Sequence, residues 1–307
     1  MSSPSVDTLP VSAPPPTAAP TAAPERFTLH AWTSARRGVA MSARFVTVGS
    51  LLFFTAWLLW DIIEGAETLK AEPLVWSLVL GGGLPLALVA ALRSQARATL
   101  EVGASTLTLT LRDGARLEIP LDAVESVRPW RLPLPGPGLT PRLKSGRALQ
   151  YGLEVEDAVP LLVALGQREG SLGAAVVHPL VRYGRARREL WRKRWYHLVL
   201  KLVVFPLVPA GIFFRAHQYI AFGGPFGEYQ LNGLKAYLLS FGRYYAPVTL
   251  SLLLIACFWR GVAELVSLAA ARFVPSWTRG VRRSAEWVCR LVYYAGIMAF
   301  TAARFLM

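Results

Sequence analysis

Apolar residues gather in long runs in two blocks of the chain, and between those blocks the pattern changes to strict alternation. From Phe45 to Ile63 the sequence FVTVGSLLFFTAWLLWDII is apolar as far as Asp61, and the run Pro73–Leu92 ends at Arg93 and Arg97. At 1.5 Å rise per residue, each is about long enough to cross a hydrocarbon core of ~30 Å. Two further runs lie at 195–214 and 241–260, while a last one, 291–307, is short for a crossing and carries Arg304. The pattern predicts four membrane spans and a fifth of marginal length. The first two, within 26–97 at about 45–63 and 73–92, are joined by a short acidic loop and predict a hairpin.

The block 98–178 reads differently. TLTLTL at 106–111 alternates with period two, and Asp113-Gly114 before ARLEIPL is a β-hairpin signal. Strands are also expected at Ala123–Trp130 and Ala148–Leu153, either side of the loop LPLPGPG at 132–138. A closing helix is expected at Glu156–Arg168, with Val159, Leu161, Leu162, Val163 and Leu165 on its packing face. Residues 1–25 hold seven prolines among Ala, Ser and Thr, cannot bury enough surface to offset ordering, and predict a disordered tail.

Composition removes the ordinary soluble enzyme from consideration, because 53% of the 307 residues are hydrophobic and 17% charged. The net charge of +14 is read first through topology. With the N-terminus in the cytoplasm and five crossings, 27 of the 33 Lys and Arg fall inside, five fall outside, and Lys201 lies within a span. That asymmetry predicts a membrane protein with its N-terminus inside. No nucleic-acid recognition motif accompanies the charge.

Cys257 and Cys289 sit in or beside apolar segments, and the four histidines have no close helical spacing. No disulfide framework, metal site or cofactor is expected. The segment 179–194 carries Arg182, Arg185, Arg187, Arg188, Arg192, Lys193 and Arg194 directly before a span. Basic side chains there gain about 1 kcal/mol each from anionic lipid, so the segment is expected against the headgroups, with Trp191 and Trp195 at the same interface. Arg260 and Glu264, four apart, are expected to pair. Gly81, Gly82 and Gly83 with Pro85 read as a helix-packing patch, and Asp61, Glu64 and Glu67 as a solvated acidic flank.

Three residues could carry chemistry. Lys201, inside the third span, snorkels to the inner face or holds a substrate anion. The outer loop 215–236 interleaves glycines with aromatics, and its His217 and Glu228 are of the residue types proton transfer requires. They would serve an intramembrane enzyme or carrier acting on a lipid-linked substrate. The segment also has a purely structural reading, as a loop folded against the membrane surface.

A membrane hairpin followed at once by a small domain with alternating strands, an IPLDAVESV element and a terminal helix resembles bacterial membrane proteins that carry a PH-like domain. The resemblance rests on Leu107, Leu109 and Leu111, on Ile119, Pro120, Leu121, Val124 and Val127, on Gly146, and on the helix near Val159–Leu165, and covers roughly 45–170. It implies a partly open β-barrel or sandwich capped by a helix, used for binding and assembly. The fold class expected is therefore an α-helical polytopic membrane protein with an inserted, mainly-β, PH-like cytoplasmic domain. The function expected is a non-enzymatic scaffold or regulatory subunit with a protein or lipid partner.

Overall fold

The structure is a computed structural model that describes residues 24–65, 68, 70–190, 195–299 and 302. The expected tail therefore lies outside the described residues up to position 23, as do Arg192, Lys193 and Arg194 and most of 300–307.

The chain enters the sheet before it enters the first long helix. Strand β1, Glu25–Thr33, points Leu29 and Ala31 into the core and puts Thr28 and His30 on the opposite face. It is followed by α1, Ser34–Glu64, capped by the Thr33 hydroxyl on the Arg36 N–H (3.4 Å) and closed by Gly65 in the left-handed region at φ 69°. A second long helix is assembled from α2, Ala71–Leu78, a π-turn at Val79–Gly83, and α3, Leu84–Gln95. The chain then builds β2 (Arg97–Val102), β3 (Thr106–Leu111), β4 (Arg116–Pro120), β5 (Val124–Pro129), β6 (Gly138–Leu143) and β7 (Tyr151–Glu154). Helix α4, Val159–Arg168, closes this part, and α5, Pro179–Leu190, leads out of it.

The seven strands form one curled antiparallel sheet in the order β4-β3-β2-β1-β7-β6-β5. β1 is its centre, paired with β2 from Glu25↔Val102 to His30↔Arg97 and with β7 from His30↔Glu154 to Thr33↔Tyr151. The hairpin expected at Asp113-Gly114 joins β3 to β4, with Gly114 at φ 86° and the Asp113 carboxylate accepting from Ala115 N–H at 3.0 Å. On the inner face Leu100, Leu109, Leu139 and Leu153 meet Leu161, Leu162 and Leu165 of α4. Truncating a side chain such as Leu162, which is fully buried, costs about 2–5 kcal/mol.

Two domain boundaries shift from the sequence expectation. The region 26–97 is not wholly hairpin, because Glu25–Thr33 belongs to the sheet, and the sheet unit is larger than 98–178 by that strand. Strand β6 lies just past the loop expected at 132–138, in a stretch where the sequence predicts no element, and accepts Pro141 because its carbonyl, the only backbone hydrogen-bonding group of proline, still receives Leu149 N–H at 2.9 Å.

The second membrane block contains α6 (Trp195–Val199), a π-turn at Leu200–Val204, α7 (Phe205–Phe222), α8 (Gly227–Phe273) and α9 (Thr278–Leu291). The π-turns at Val79–Gly83 and Leu200–Val204 each precede a proline, Pro85 or Pro206, whose missing N–H and bulky ring are absorbed by the wider turn, while a third, at Val292–Gly296, has no proline after it. Four helical segments are long and apolar enough to cross a membrane: Ser34–Glu64, Glu72–Gln95, Tyr196–Phe222 and Gly227–Phe273. A Cβ on Gly81 would collide with the Ser50 side chain, which fits the packing reading of that glycine. The segment 215–236 is not a loop: α7 continues to Phe222, Gly223 ends it at φ 70°, and α8 begins at Gly227 with a kink at Gly233.

The pairing dictates how the helices lie. Because β1 pairs with β2, the start of α1 and the end of α3 are held on one side, and the intervening helices must go out and return. α8 runs past the length of a bilayer, and α9 turns back along it: Arg282 meets Glu264, Cys289 Sγ lies 3.4 Å from Trp259 O, and Tyr293 packs on Leu252 and Ala256. The segment after Leu291 thus begins as a helix alongside α8, through residue 299.

Candidate functional site

Where the sheet meets the first two long helices, polar side chains are buried in apolar surroundings. Trp32, 1% exposed, donates its indole N–H to the Glu154 carboxylate at 2.7 Å, and Arg93 at the end of α3 reaches the same carboxylate at 3.0 Å. Burial holds the Glu154 carboxyl above its usual range, although Arg93 and the indole pull the other way. Beside it Trp130 donates to Thr140 Oγ1 at 2.9 Å and carries the Arg37 guanidinium 3.7 Å above its ring. Gly138 and Gly152 make room for that ring: a Cβ on either would stand 2.7 Å or 2.8 Å from it.

A second cluster forms where α5 crosses the lower ends of α8 and α9. Glu264 accepts from the Tyr183 hydroxyl at 2.6 Å, from Arg260 at 2.7 Å and from Arg282 at 3.0 Å, with Arg187 at 3.8 Å. The expected Arg260–Glu264 pair is thus present inside a larger assembly. Glu286 extends it to Arg282 at 3.3 Å and to Arg260 at 3.7 Å. Burial and the neighbouring Glu264 push the Tyr183 phenol up to about 12. Glu189 adds a further tie, pairing with Arg185 at 3.0 Å and with Arg279 of α9 at 3.1 Å.

This arrangement redistributes the basic segment expected to face lipid. Arg185 and Arg187 are engaged with protein carboxylates, Arg182 is half-buried, and Arg188 stays exposed. Arg192, Lys193 and Arg194 lie outside the described residues.

Arg188 borders an open cleft of ≈ 580 Å³ on the outer face of the sheet. Thr28, Thr99 and Thr110 form its floor, and Arg97 and Arg112 stand at its sides. His30 also lines it, and burial together with Arg93 and Arg97 lowers its pKa to about 4, so its imidazole is neutral at pH 7.

The residues singled out for chemistry do not converge. Glu228 is buried and accepts from Gln218 Nε2 at 2.6 Å, while its own N–H donates to Gln218 Oε1 at 3.3 Å. His217 instead packs between Tyr244 and Phe222, ring centres 5.3 Å and 6.0 Å away. Lys201 is sixteen residues earlier on the same helical segment, about 24 Å distant, with Nζ 4.5 Å from the Tyr293 ring centre and its carbonyl accepting from the Tyr293 hydroxyl at 3.0 Å. Among the described residues, no group of three His, Cys, Asp or Glu could hold a metal ion. Asp61 is buried and accepts from Thr68 at 2.6 Å rather than standing in a solvated flank, and Glu67 lies outside the described residues.

Sequence reasoning passed over Trp32, Arg93, Glu154 and His30. Their signal was present in TLHAWT, where alternate residues Thr28, His30 and Trp32 share one face, but the segment precedes a membrane run and reads as its flank.

The fold and these clusters define a class: helices consistent with a membrane location, bound through buried charge to an antiparallel sheet unit. Comparison of the chain with protein-family models, with curated proteins and with solved structures gives no match.

Proposed function

We propose that the protein is a non-enzymatic integral membrane scaffold or regulatory subunit that binds a protein or lipid partner through a PH-like sheet domain. It sits in a bacterial inner membrane with its N-terminus and the sheet in the cytoplasm. The observation that carries this reading is the attachment of the sheet to the helices. The sheet is continuous with α1 and α3, it is pinned by Arg93 on Glu154, and α5 fastens it to α8 and α9 through Glu264. A domain held in this way reports its occupancy to the spans instead of drifting on a linker. The meander order, with α4 packed across the inner face of the curled sheet, supports the PH-like reading, and the 27 Lys and Arg expected on the sheet side support its cytoplasmic placement. Anionic lipid then meets the exposed part of the basic segment, including Arg188.

The test is affinity purification of the full-length protein in native membrane patches, with mass spectrometry of proteins and lipids. The expected result is a stoichiometric protein or a selectively enriched lipid that is lost when exposed sheet residues are reversed in charge, as in Arg116→Glu or Arg128→Glu, at unchanged protein level. Retention of every partner by all sheet variants, or turnover of a substrate by the purified protein alone, overturns the reading.

A further inference from the structure

We propose that the cleft on the outer face of the sheet is a binding site for a phosphate group, presented either by a lipid headgroup or by a soluble phosphate ester. The inference rests on the reading of the sheet as a binding domain and names the chemistry it would take.

The floor is a consequence of register. Thr28 of β1 stands opposite Thr99 of β2, which stands opposite Thr110 of β3, so three hydroxyls cross three adjacent strands in one row. Each can donate to an anion oxygen. Guanidinium groups come from three separate elements: Arg97 opens β2, Arg112 follows β3, and Arg188 belongs to α5. Arg112 is braced by donating to the Ser94 carbonyl at 2.9 Å. The side chains of Arg97 and Arg188 form no hydrogen bond or ion pair among the described residues, whereas those of Arg185 and Arg187, on the same helix as Arg188, are taken up by Glu189 and Glu264.

The acids at the cleft do not cancel this charge. Glu154 is already committed to Trp32 and Arg93, and the exposed Glu156 lies 3.6 Å from Arg93. What remains is positive charge on several sides of a row of hydroxyl donors. A planar carboxylate has two acceptor oxygens and would use part of this set, while a free phosphate or phosphate monoester presents three or more and a phosphodiester two in tetrahedral array, so that hydroxyls and guanidiniums can be used together. The volume of ≈ 580 Å³ falls within the range that admits a small ligand or a headgroup. Arg97 follows the end of α3 by two residues, so the site lies close beneath the membrane surface and both sources are within reach.

The experiment uses the full-length protein in nanodiscs. One arm titrates inorganic phosphate and glycerol 3-phosphate into discs of phosphatidylcholine, reading binding by calorimetry. The other identifies lipids retained by native mass spectrometry from discs doped with phosphatidylglycerol or phosphatidic acid. The expected result is saturable binding in at least one arm, weakened about tenfold by each of Arg97→Gln and Arg188→Gln, the loss appropriate to one charge-assisted hydrogen bond. Arg147→Gln, between β6 and β7 and away from the cleft, serves as the control and leaves binding unchanged. Binding of the soluble esters in neutral discs assigns a soluble ligand, and retention of the anionic lipid with suppression of ester binding assigns the headgroup. No saturable binding in either arm, or binding indifferent to both arginine variants, overturns the proposal. A protein partner still captured in membrane patches under that outcome would leave the scaffold reading standing, so the two failures are separable.

Discussion

Removing the Glu264 carboxylate is the sharpest test of the idea that α5 clamps the sheet to the membrane helices. Its magnitude follows from what each partner can do afterwards. Arg282 has a fully buried side chain and donates two hydrogen bonds to this carboxylate, at 3.0 and 3.1 Å, so in Glu264→Ala it keeps only Glu286. Stranding a buried charge in this way costs about 3 kcal/mol. The Tyr183 hydroxyl loses its acceptor, which costs about 1 kcal/mol more. Arg260 and Arg187 are partly exposed and recover most of their loss from water, leaving a few tenths of a kcal/mol each. The expected destabilisation is about 4 kcal/mol. Arg282→Met removes the buried cation but leaves Glu264 with Arg260 and Tyr183, and is expected to cost about 3 kcal/mol. The double variant should cost no more than about 5 kcal/mol, because neither charge is left stranded, giving a coupling of roughly 2 kcal/mol. The assay is reversible unfolding of the full-length protein in mixed micelles followed by tryptophan fluorescence. Hydrogen exchange across Pro179–Leu190 should rise in Glu264→Ala and fall back in the double variant. Strictly additive single-variant costs, or a Glu264→Ala effect below about 1 kcal/mol, would refute the reasoning.

Three further outcomes are expected. Glu154→Ala leaves the buried Trp32 indole without an acceptor and should destabilise by about 3 kcal/mol, whereas Glu154→Gln retains an acceptor and should cost about half as much, ordered by the same unfolding assay. Gly138→Ala drives a Cβ to 2.7 Å from the Trp130 ring and 2.8 Å from Leu153 O, so it should cost at least about 1–3 kcal/mol, while Gly170→Ala, where a Cβ meets nothing within 4 Å, should lie within about 0.5 kcal/mol of the parent. His30, with its folded pKa lowered from 6.5 to about 4, binds a proton in the unfolded chain before the folded one; stability should therefore fall as pH drops from 6.5 toward 4. Glu154, whose carboxyl is raised, works in the opposite sense, so the check is the slope difference between the parent and His30→Gln, and identical slopes would contradict the assignment.

What could be read from the chain and what could not divide along the distance between interacting residues. The four long helices, the hairpin at Asp113-Gly114, the packing of Leu161, Leu162 and Leu165 of α4 and the Arg260–Glu264 pair depend on neighbours within a few positions, and the sequence carries that information locally, although Val163, expected on the same face of α4, is exposed and Ala164 is buried in its place. Strand β1 has the same kind of alternation, with Leu29 and Ala31 inward and Thr28 and His30 outward, yet its partners begin at Arg97 and Tyr151. A membrane hairpin inserted between β1 and β2 hides the pairing, because the Arg residues near it look like topology signals. Strand β6 is not legible in the sequence because it follows directly on the Pro-rich loop 132–138 and itself contains Pro141, which still offers a carbonyl to the ladder. The segment 215–236 misled through composition. Its glycines suggested continuous turns, but the positive-φ positions among them are Gly223, which ends α7, and Gly233, which kinks α8, while Glu228 folds back onto Gln218 as a sealed pair. The clusters around Glu154 and Glu264 were least legible of all, since Trp32 lies 122 residues from the first and Tyr183 lies 81 from the second. Both clusters exist because β2 returns the chain to the sheet beside β1 and α9 returns it along α8. The candidate site is thus a product of topology, and its residues acquire their meaning only when those two returns are made.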